Sequence, residues 1–256
     1  MNQILVSEKL YVTPGLKRKK KMFKMEFILS VVALMALSTY GLFSVVDRNK
    51  SEAVSKEILG AMEILPETRT VEEQAVVLVL NRANNNSSIN IDEIEKVTVT
   101  REIKVDEEQK VTAKDGTVYY TIGQINIPSI NCSYPILNSD TENYDTLLKI
   151  APVKFHGSNP NEVGNLCIVG HNYRNNQFFS KVPKLQNGDI IEITDTFGKT
   201  IKYEVYDKFV TINTDTSCTS QRTDGRKEIT LITCTDASDE HRVIVKAREV
   251  VWKIFG

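Results

Sequence analysis

Residues 27–46, FILSVVALMALSTYGLFSVV, run for twenty positions without a charged side chain. At about 1.5 Å of rise per residue, a helix of that length spans about 30 Å, the thickness of a bilayer's hydrocarbon core. Directly before it stands a basic block: Lys17, Arg18, Lys19, Lys20, Lys21 and Lys24. A buried core helix would not call for basic residues on one flank only. A cleavable signal peptide has an apolar region of about 7–15 residues that ends at a small-residue cleavage site. This stretch is longer, and no A-x-A follows it. An uncleaved signal-anchor fits both the length and the flank. The positive-inside rule then makes residues 1–26 a cytoplasmic basic tail and residues 27–46 a single-pass transmembrane helix, with residues 47–256 outside the cell.

The chain as a whole is ordinary in composition, which narrows the function classes. Lys and Arg total 32 against 33 Asp and Glu, a net charge of -1. A chain so balanced has no global basic field, so nucleic acid is not an expected partner. The four cysteines, Cys132, Cys167, Cys218 and Cys234, never form CxxC, and with three histidines they suit neither a disulfide scaffold nor a zinc site. Residues 47–117 are rich in Glu, Lys, Asn, Thr and Val. Residues 51–65 have weak helical periodicity, residues 76–80 suit a short strand, and the NNNSS run at 84–88 favours a loop. This segment is expected to be a partly ordered extracellular stalk.

From residue 118 the texture changes to short β-like runs with turn punctuation. VYYTIGQINI (118–127) ends at Pro128, and CSYPIL (132–137) follows. A short polar, helical piece is expected around 141–149. NLCIVGH (165–171), DIIEIT (189–194), TIKYEVYDKFVTI (200–212), EITLITC (228–234) and RVIVKAREVVW (242–252) complete the series. Seven or eight evenly spaced strands with one or two short helices predict an all-β barrel or sandwich over residues 118–256.

Alternation places the side chains at the end of this series. Ile229, Leu231 and Thr233 face one side of their strand, and Thr230, Ile232 and Cys234 the other. In the last strand Val243, Val245 and Ala247 share the apolar side, and Arg242, Ile244 and Lys246 the opposite one. If the two strands form a hairpin, Cys234 and Arg242 meet on one face at one end of the sheet. A guanidinium beside a cysteine stabilises its thiolate, the form that acts as a nucleophile.

Taken together, these residues resemble the sortases, the cysteine transpeptidases of Gram-positive bacterial surfaces. TLITC at 230–234 matches the family's TLxTC signature at every fixed position. Val169-Gly170-His171 matches the context of the catalytic histidine, which precedes the cysteine by about sixty residues. Arg242 opens the final strand, where the family places its arginine. Ile127-Pro128 and Tyr134-Pro135-Ile136-Leu137 look like the family's opening strands. The resemblance covers about residues 118–252. It implies a closed eight-stranded β-barrel held outside the cell by the anchor and stalk.

The resemblance also implies a reaction. A C-terminal sorting signal similar to LPxTG, on another exported protein, is cleaved through a thioester on Cys234. The acyl group then passes to an amine of a peptidoglycan precursor or a pilin. His171 would move the protons, Arg242 would donate hydrogen bonds to the substrate backbone or the oxyanion, Thr230 and Ile232 would help bind the substrate, and Thr233 would do so through packing or a hydrogen bond beside the nucleophile. The long connection 211–227 would form a wall of the groove. The absence of an Asp-Pro-aromatic lid and of a second apolar segment points away from the pilus-polymerising kind.

Other readings remain open from the residues alone. An extracellular cysteine protease of unrelated fold usually orders its cysteine before its histidine. A catalytically inactive, membrane-tethered binding module would keep the barrel and lose the chemistry. His156 and His241 read as bystanders, and Cys167 as a packed thiol. Cys132 and Cys218 are alternatives for a disulfide outside the cell. No cofactor is expected. Glu162, Asp215 and Asp224 read as solvated loop charges, with a calcium site, as in one kind of sortase, as the alternative. Arg222 and Arg226 in the long connection are rivals to Arg242. Arg248 lies about 20 Å further along the last strand at about 3.3 Å per residue.

Overall fold

A computed structural model of the chain describes residues 14–66, 68–78, 94–104, 108–138 and 144–251. The chain divides into two compact units, Met1–Lys50 and Ser51–Gly256. Helix α1, Pro14–Ala61, begins in the first and ends in the second. It starts at a proline, which suits a first helical position because no N–H is lost there. Among the described residues it is the helix long and apolar enough to cross a membrane, and Leu29, Leu34, Leu37 and Phe43 stand exposed on it. An apolar surface of this kind is stable in lipid and not in water.

The second unit is built on strands β1 (Thr68–Leu78), β2 (Ile94–Lys104), β3 (Gln109–Thr112), β4 (Val118–Ile127), β5 (Cys132–Leu137), β6 (Val153–His156), β7 (Gly164–Val169), β8 (Ile190–Asp195), β9 (Thr200–Ile212), β10 (Lys227–Cys234) and β11 (His241–Glu249). A short helix α2, Tyr144–Ile150, lies between β5 and β6. β1 and β2 form a separate antiparallel ribbon. The others form one sheet in the order β3-β4-β5-β6-β7-β10-β11-β9-β8, and a further pairing of β4 with β8 closes it. Eight strands, β4 to β11, therefore make a closed barrel, with β3 added at the outside edge of β4. Closure removes the exposed edges that an open sheet would leave.

Alternation fills the barrel. Ile125, Ile127, Ile136, Leu166, Ile168, Ile191, Ile193, Val205, Ile229, Leu231, Val243 and Val245 point inward as one core cluster. The intervening residues of the same strands face outward. Cys167, Ile232 and Ile244 form a small outer cluster with Cys218. Of the expected strands, the seven named runs are all present. β3 and β6 were not expected: each has four residues, too few to display an alternation.

The expected stalk over residues 47–117 differs from what is observed. Val54 and Ile58 of α1 and Met62 just after it pack with Val111, Ala113, Tyr119 and Leu137 in a second outer cluster. Gln109 Nε2 donates to the Glu63 carbonyl at 2.9 Å, and the Leu65 N–H donates to the Thr196 carbonyl at 2.8 Å. The end of α1 and strand β3 are thus built onto the barrel, so a boundary at residue 118 falls inside a packed unit. The expected strand at 76–80 overlaps β1 up to residue 78. Residues 79–80 and the 84–88 run lie outside the described residues. The expected helix near 141–149 is α2, and residues 141–143 also lie outside them.

Ile58 is fully buried in that second cluster. Replacing it with alanine removes three methyl or methylene groups and leaves a cavity, at a cost of about 2–5 kcal/mol. Denaturant unfolding of the full chain, followed by barrel tryptophan-free signals such as far-UV circular dichroism, should show a fall in stability of that size. A change below about 0.5 kcal/mol would mean that residues 51–62 do not belong to the barrel's cooperative unit.

Candidate active site

The site grows from β10, which has a neighbour on each side. It pairs in parallel with β7, placing Thr230 beside Cys167 and Ile232 beside Val169, and antiparallel with β11, placing Cys234 opposite Arg242. Ile229 and Leu231 enter the core, as do Val243 and Val245 from β11, which leaves Ile232, Cys234, Arg242 and Ile244 on the outer face. The register predicted from alternation is the one observed. The Thr235 N–H donates to the His241 carbonyl at 3.2 Å. Hydrogen-bonded and non-hydrogen-bonded pairs alternate in an antiparallel ladder, so the next pair inward, Cys234 and Arg242, is of the non-hydrogen-bonded kind, in which side chains stand closer.

His171 reaches the same end of the sheet from β7. The Gly170 N–H donates to the Ile232 carbonyl at 3.1 Å, and Thr233 Oγ1 donates to the Gly170 carbonyl at 2.7 Å. A Cβ at Gly170 would stand 2.6 Å from the ring of Phe179, so the position admits only glycine without a shift. The chain is thereby held tightly to β10 one residue before His171. The imidazole stacks on Tyr173 at 4.9 Å between centroids and 27° between planes.

Two loops meet beyond this point. Asn172 is buried, and its Nδ2 donates to the Cys234 carbonyl at 2.9 Å and to Asp236 Oδ1 at 2.8 Å. Its Oδ1 accepts the Arg174 N–H at 2.9 Å. Arg174 Nε donates to the Asp236 carbonyl at 2.7 Å, and its Nη2 lies 2.7 Å from Asp239 Oδ1. Asn172 and Arg174 therefore join the loop after His171 to the loop between Cys234 and Arg242. Neither residue was singled out from the sequence. HNYRNNQ reads as an ordinary polar loop, and the bonds that matter run to residues more than sixty positions away.

A cavity of about 370 Å³ opens on the outer face beside these residues, with His171 and Arg242 in its lining. Val169, Ile232 and Ile244 line it from the sheet. Tyr144 and Leu148 of α2 with Phe155 of β6 form an aromatic and apolar side, and Asn213, Asp215, Thr216 and Thr219 of the 211–227 connection form a polar one. The polar side is held in place. Asp215 accepts from Thr211 Oγ1 at 2.6 Å and from the Ser217 N–H at 2.9 Å, and these bonds lower its carboxyl to about 2. Burial pushes the Tyr144 phenol up to about 12, helped by Asp145 and opposed by the charge of Arg242.

Of the three substrate-side candidates in TLITC, only Ile232 lines the cavity. Thr230 is fully buried, and its Oγ1 donates to Asn165 Oδ1 at 2.8 Å. The Asn165 amide in turn donates to the Cys218 and Ser220 carbonyls at 3.1 Å. Thr230 thus fastens the 211–227 connection. Thr233 is spent on Gly170. Alternation assigns a face but not the partner of a buried hydroxyl.

The other candidates separate clearly. Arg242 Nη1 donates to the Asp239 and His241 carbonyls, which holds the guanidinium at the cavity's end. Arg222 and Arg226 are exposed and do not line the cavity. Arg248 lies over the Tyr206 ring at 4.0 Å. His156 and His241 are exposed outside the cavity. Cys132 lies in the barrel core and Cys218 in the outer cluster, and all four cysteines are free, so the two do not pair. Burial pushes the Cys132 and Cys167 thiols up to about 12, and burial, then Asp215, raises that of Cys218. Cys234 alone among the four is not buried. Among the described residues no group of three or more His, Cys, Asp or Glu side chains is placed to hold a metal ion, so Glu162, Asp215 and Asp224 do not gather into one site.

The comparisons with known proteins agree on one family. The model of the sortase domain matches residues 125–250, from within β4 to the end of β11. Sortase A of Bacillus anthracis is 34% identical over 134 residues, 51% of this chain and 60% of that protein's length. Among solved structures, a sortase D5 transpeptidase of Clostridium perfringens is 34% identical over 51% of this chain and 79% of its own, with a TM-score of 0.45. Sortase A of Corynebacterium diphtheriae is 28% identical over 54% and 64%, with a TM-score of 0.47.

The burial of three thiols out of four gives a direct test. Under native conditions a small alkylating reagent should label Cys234 alone, and Cys132, Cys167 and Cys218 should react only after unfolding. Peptide mapping reads the outcome. Native labelling at any of the other three, at a rate within a few-fold of Cys234, would contradict the arrangement.

Proposed function

Since the chain belongs to the sortase family, whose members are cysteine transpeptidases, we propose that it is a membrane-anchored transpeptidase acting on an LPxTG-like sorting signal of exported proteins. The observation that carries this reading is the cross-strand pairing of Cys234 with Arg242, a residue that lines a cavity together with His171. A nucleophile, a fixed cation and a titratable base are the three groups that acyl transfer through a thioester requires.

The Cys234 thiolate attacks the threonine carbonyl carbon of the signal. Negative charge develops on the carbonyl oxygen, where the Arg242 guanidinium, which stays protonated, donates hydrogen bonds. The C–N bond to the following glycine breaks as the His171 imidazolium gives its proton to the leaving amine. That leaves an acyl thioester on Cys234 and a neutral imidazole. His171 then takes a proton from the incoming amine as its nitrogen attacks the thioester. An amide forms, Cys234 leaves as thiolate, and the starting protonation returns. The amine belongs to a peptidoglycan precursor or a pilin. The apolar side of the cavity, Leu148 and Phe155 with Ile232 below, suits the leucine and proline of the signal. No cofactor takes part in this scheme.

The single-pass topology belongs to the same reading, with residues 1–26 cytoplasmic and residues 47–256 outside. It rests on the basic block before the apolar helix. Protease added to intact cells should degrade residues 47–256, and protection of that part would contradict the orientation.

The variants should separate the three roles in a peptide–amine transfer assay. Cys234→Ala should abolish turnover. His171→Ala should lose about 10²–10⁴-fold, the range of a lost proton-transfer group. Arg242→Ala should lose about 10²–10³-fold, and Arg242→Lys should recover only part of it, because an ammonium lacks the planar fork. Wild-type turnover in Cys234→Ala, or a greater loss in Arg222→Ala or Arg226→Ala than in Arg242→Ala, would overturn the assignment.

A further inference from the structure

The last turns of α1 carry a carboxylate that the proposed chemistry does not use. Glu52 is half-buried against the loop that follows His171. Its Oε2 accepts from Gln177 Nε2 at 2.6 Å. Its Oε1 accepts from Tyr134 Oη at 3.4 Å and lies 3.0 Å from Lys56 Nζ. Burial opposes the charge on Glu52, but the bonds from Lys56 and Gln177 outweigh it and hold the carboxyl below its ordinary value. Lys56 is largely exposed one helical turn away, whereas Gln177 and Tyr134 are buried.

From Tyr134 the contacts continue without a break to His171. The Tyr134 hydroxyl accepts the Phe178 N–H at 3.0 Å. The Tyr134 ring stacks on Phe178 at 5.1 Å, Phe178 meets Tyr173 edge-on at 5.7 Å, and Tyr173 stacks on His171 at 4.9 Å. Phe178 is 2% exposed and has a φ of 49°, in the left-handed region that bulky residues rarely enter. Such a conformation persists only where the surroundings over-determine it. Here those surroundings are the Tyr134 hydroxyl, its ring, and a bridge between Phe178 and Asn172.

We propose that Glu52 is a positioning residue for His171: through Gln177 and Tyr134 it fixes the loop 173–178, and through the Phe178–Tyr173 stack it sets the plane of the imidazole. This rests on the reading of His171 as the group that moves protons. Glu52 lies well before residues 125–250, so the sortase-domain match assigns it nothing. The physical need is general, since a proton-transfer group must be held within about 10–20° of its productive pose. A side chain on the helix that carries the apolar span thereby holds the aromatic chain beneath the active-site histidine.

The competing account is that Glu52 only fastens the helix to the barrel, as Ile58 does. The two differ in what they move. In the full-length chain in detergent micelles, peptide–amine transfer kinetics are measured together with the NMR signal of the His171 imidazole. Glu52→Ala should lower kcat about tenfold with KM within about twofold, and should shift or broaden the His171 signal. Glu52→Gln keeps an oxygen that accepts from Gln177 and should recover most of both. Tyr134→Phe, which removes the hydroxyl and keeps the ring, should fall between. Ile58→Val should lower Tm and leave kcat and the His171 signal unchanged. Wild-type kcat with an unmoved His171 signal in Glu52→Ala would overturn the proposal, as would equal effects from Ile58→Val. Should Glu52→Ala fail to fold, Tyr134→Phe decides by the same two readouts: movement of both supports the proposal and wild-type values overturn it. A wild-type chain that transfers no acyl group would refute the transpeptidase reading, and the His171 signal would still test the positioning claim.

Discussion

The double pairing of β10 is the constraint from which the site follows. One strand edge lies parallel to β7 and the other antiparallel to β11, and side chains alternate with a period of two. A slip of one residue on either side would turn Cys234 into the core or Arg242 away from it. Leu231 and Ile229 inside the barrel oppose any such slip, because it would expose them and bury Thr230 and Ile232 in their place. The core therefore sets the register, and the register sets which residue stands opposite Cys234. The same strand holds the histidine's loop through Ile232 and Thr233, so all three groups answer to one element.

Around that element four buried polar residues have structural tasks. Thr230 and Asn165 fasten the 211–227 connection, Thr233 fastens Gly170, and Asn172 joins two loops at once. The cavity is left with an apolar and aromatic side, a polar side, and charge and imidazole at one end. Under the proposed transpeptidase reading, that division suits an extended peptide whose apolar residues lie in the groove. The end of α1 adds to the packed unit, through Ile58 and its neighbours beside β3 and through Glu52 beside the loop of His171.

Much of this was legible in the sequence because it depends on period and order. Seven of the eight barrel strands, the facing of Cys234 and Arg242, and the arrival of His171 from an earlier strand follow from alternation and the TLITC and VGH segments. What was not legible depends on distant partners. Val54, Ile58 and Met62 lie four residues apart along the end of α1 and the residue after it, a pattern visible in the chain, but the surface they cover comes from β3, β4 and β5. Residues 51–62 therefore read as stalk. Thr230 and Thr233 read as substrate contacts because their hydroxyls' partners, Asn165 and Gly170, are more than sixty residues away. Asn172 and Arg174 were hidden in a polar loop for the same reason.

The central claim is that Cys234 forms a covalent acyl intermediate at this site. The most direct measurement is intact-protein and peptide mass spectrometry of the full-length chain mixed with a panel of sorting peptides, with and without a primary amine. The account predicts an added mass equal to the peptide up to its threonine, carried on the fragment that contains Cys234 and discharged as an amide when the amine is supplied. Absence of that adduct with every peptide, or its appearance on Cys132, Cys167 or Cys218, would contradict it.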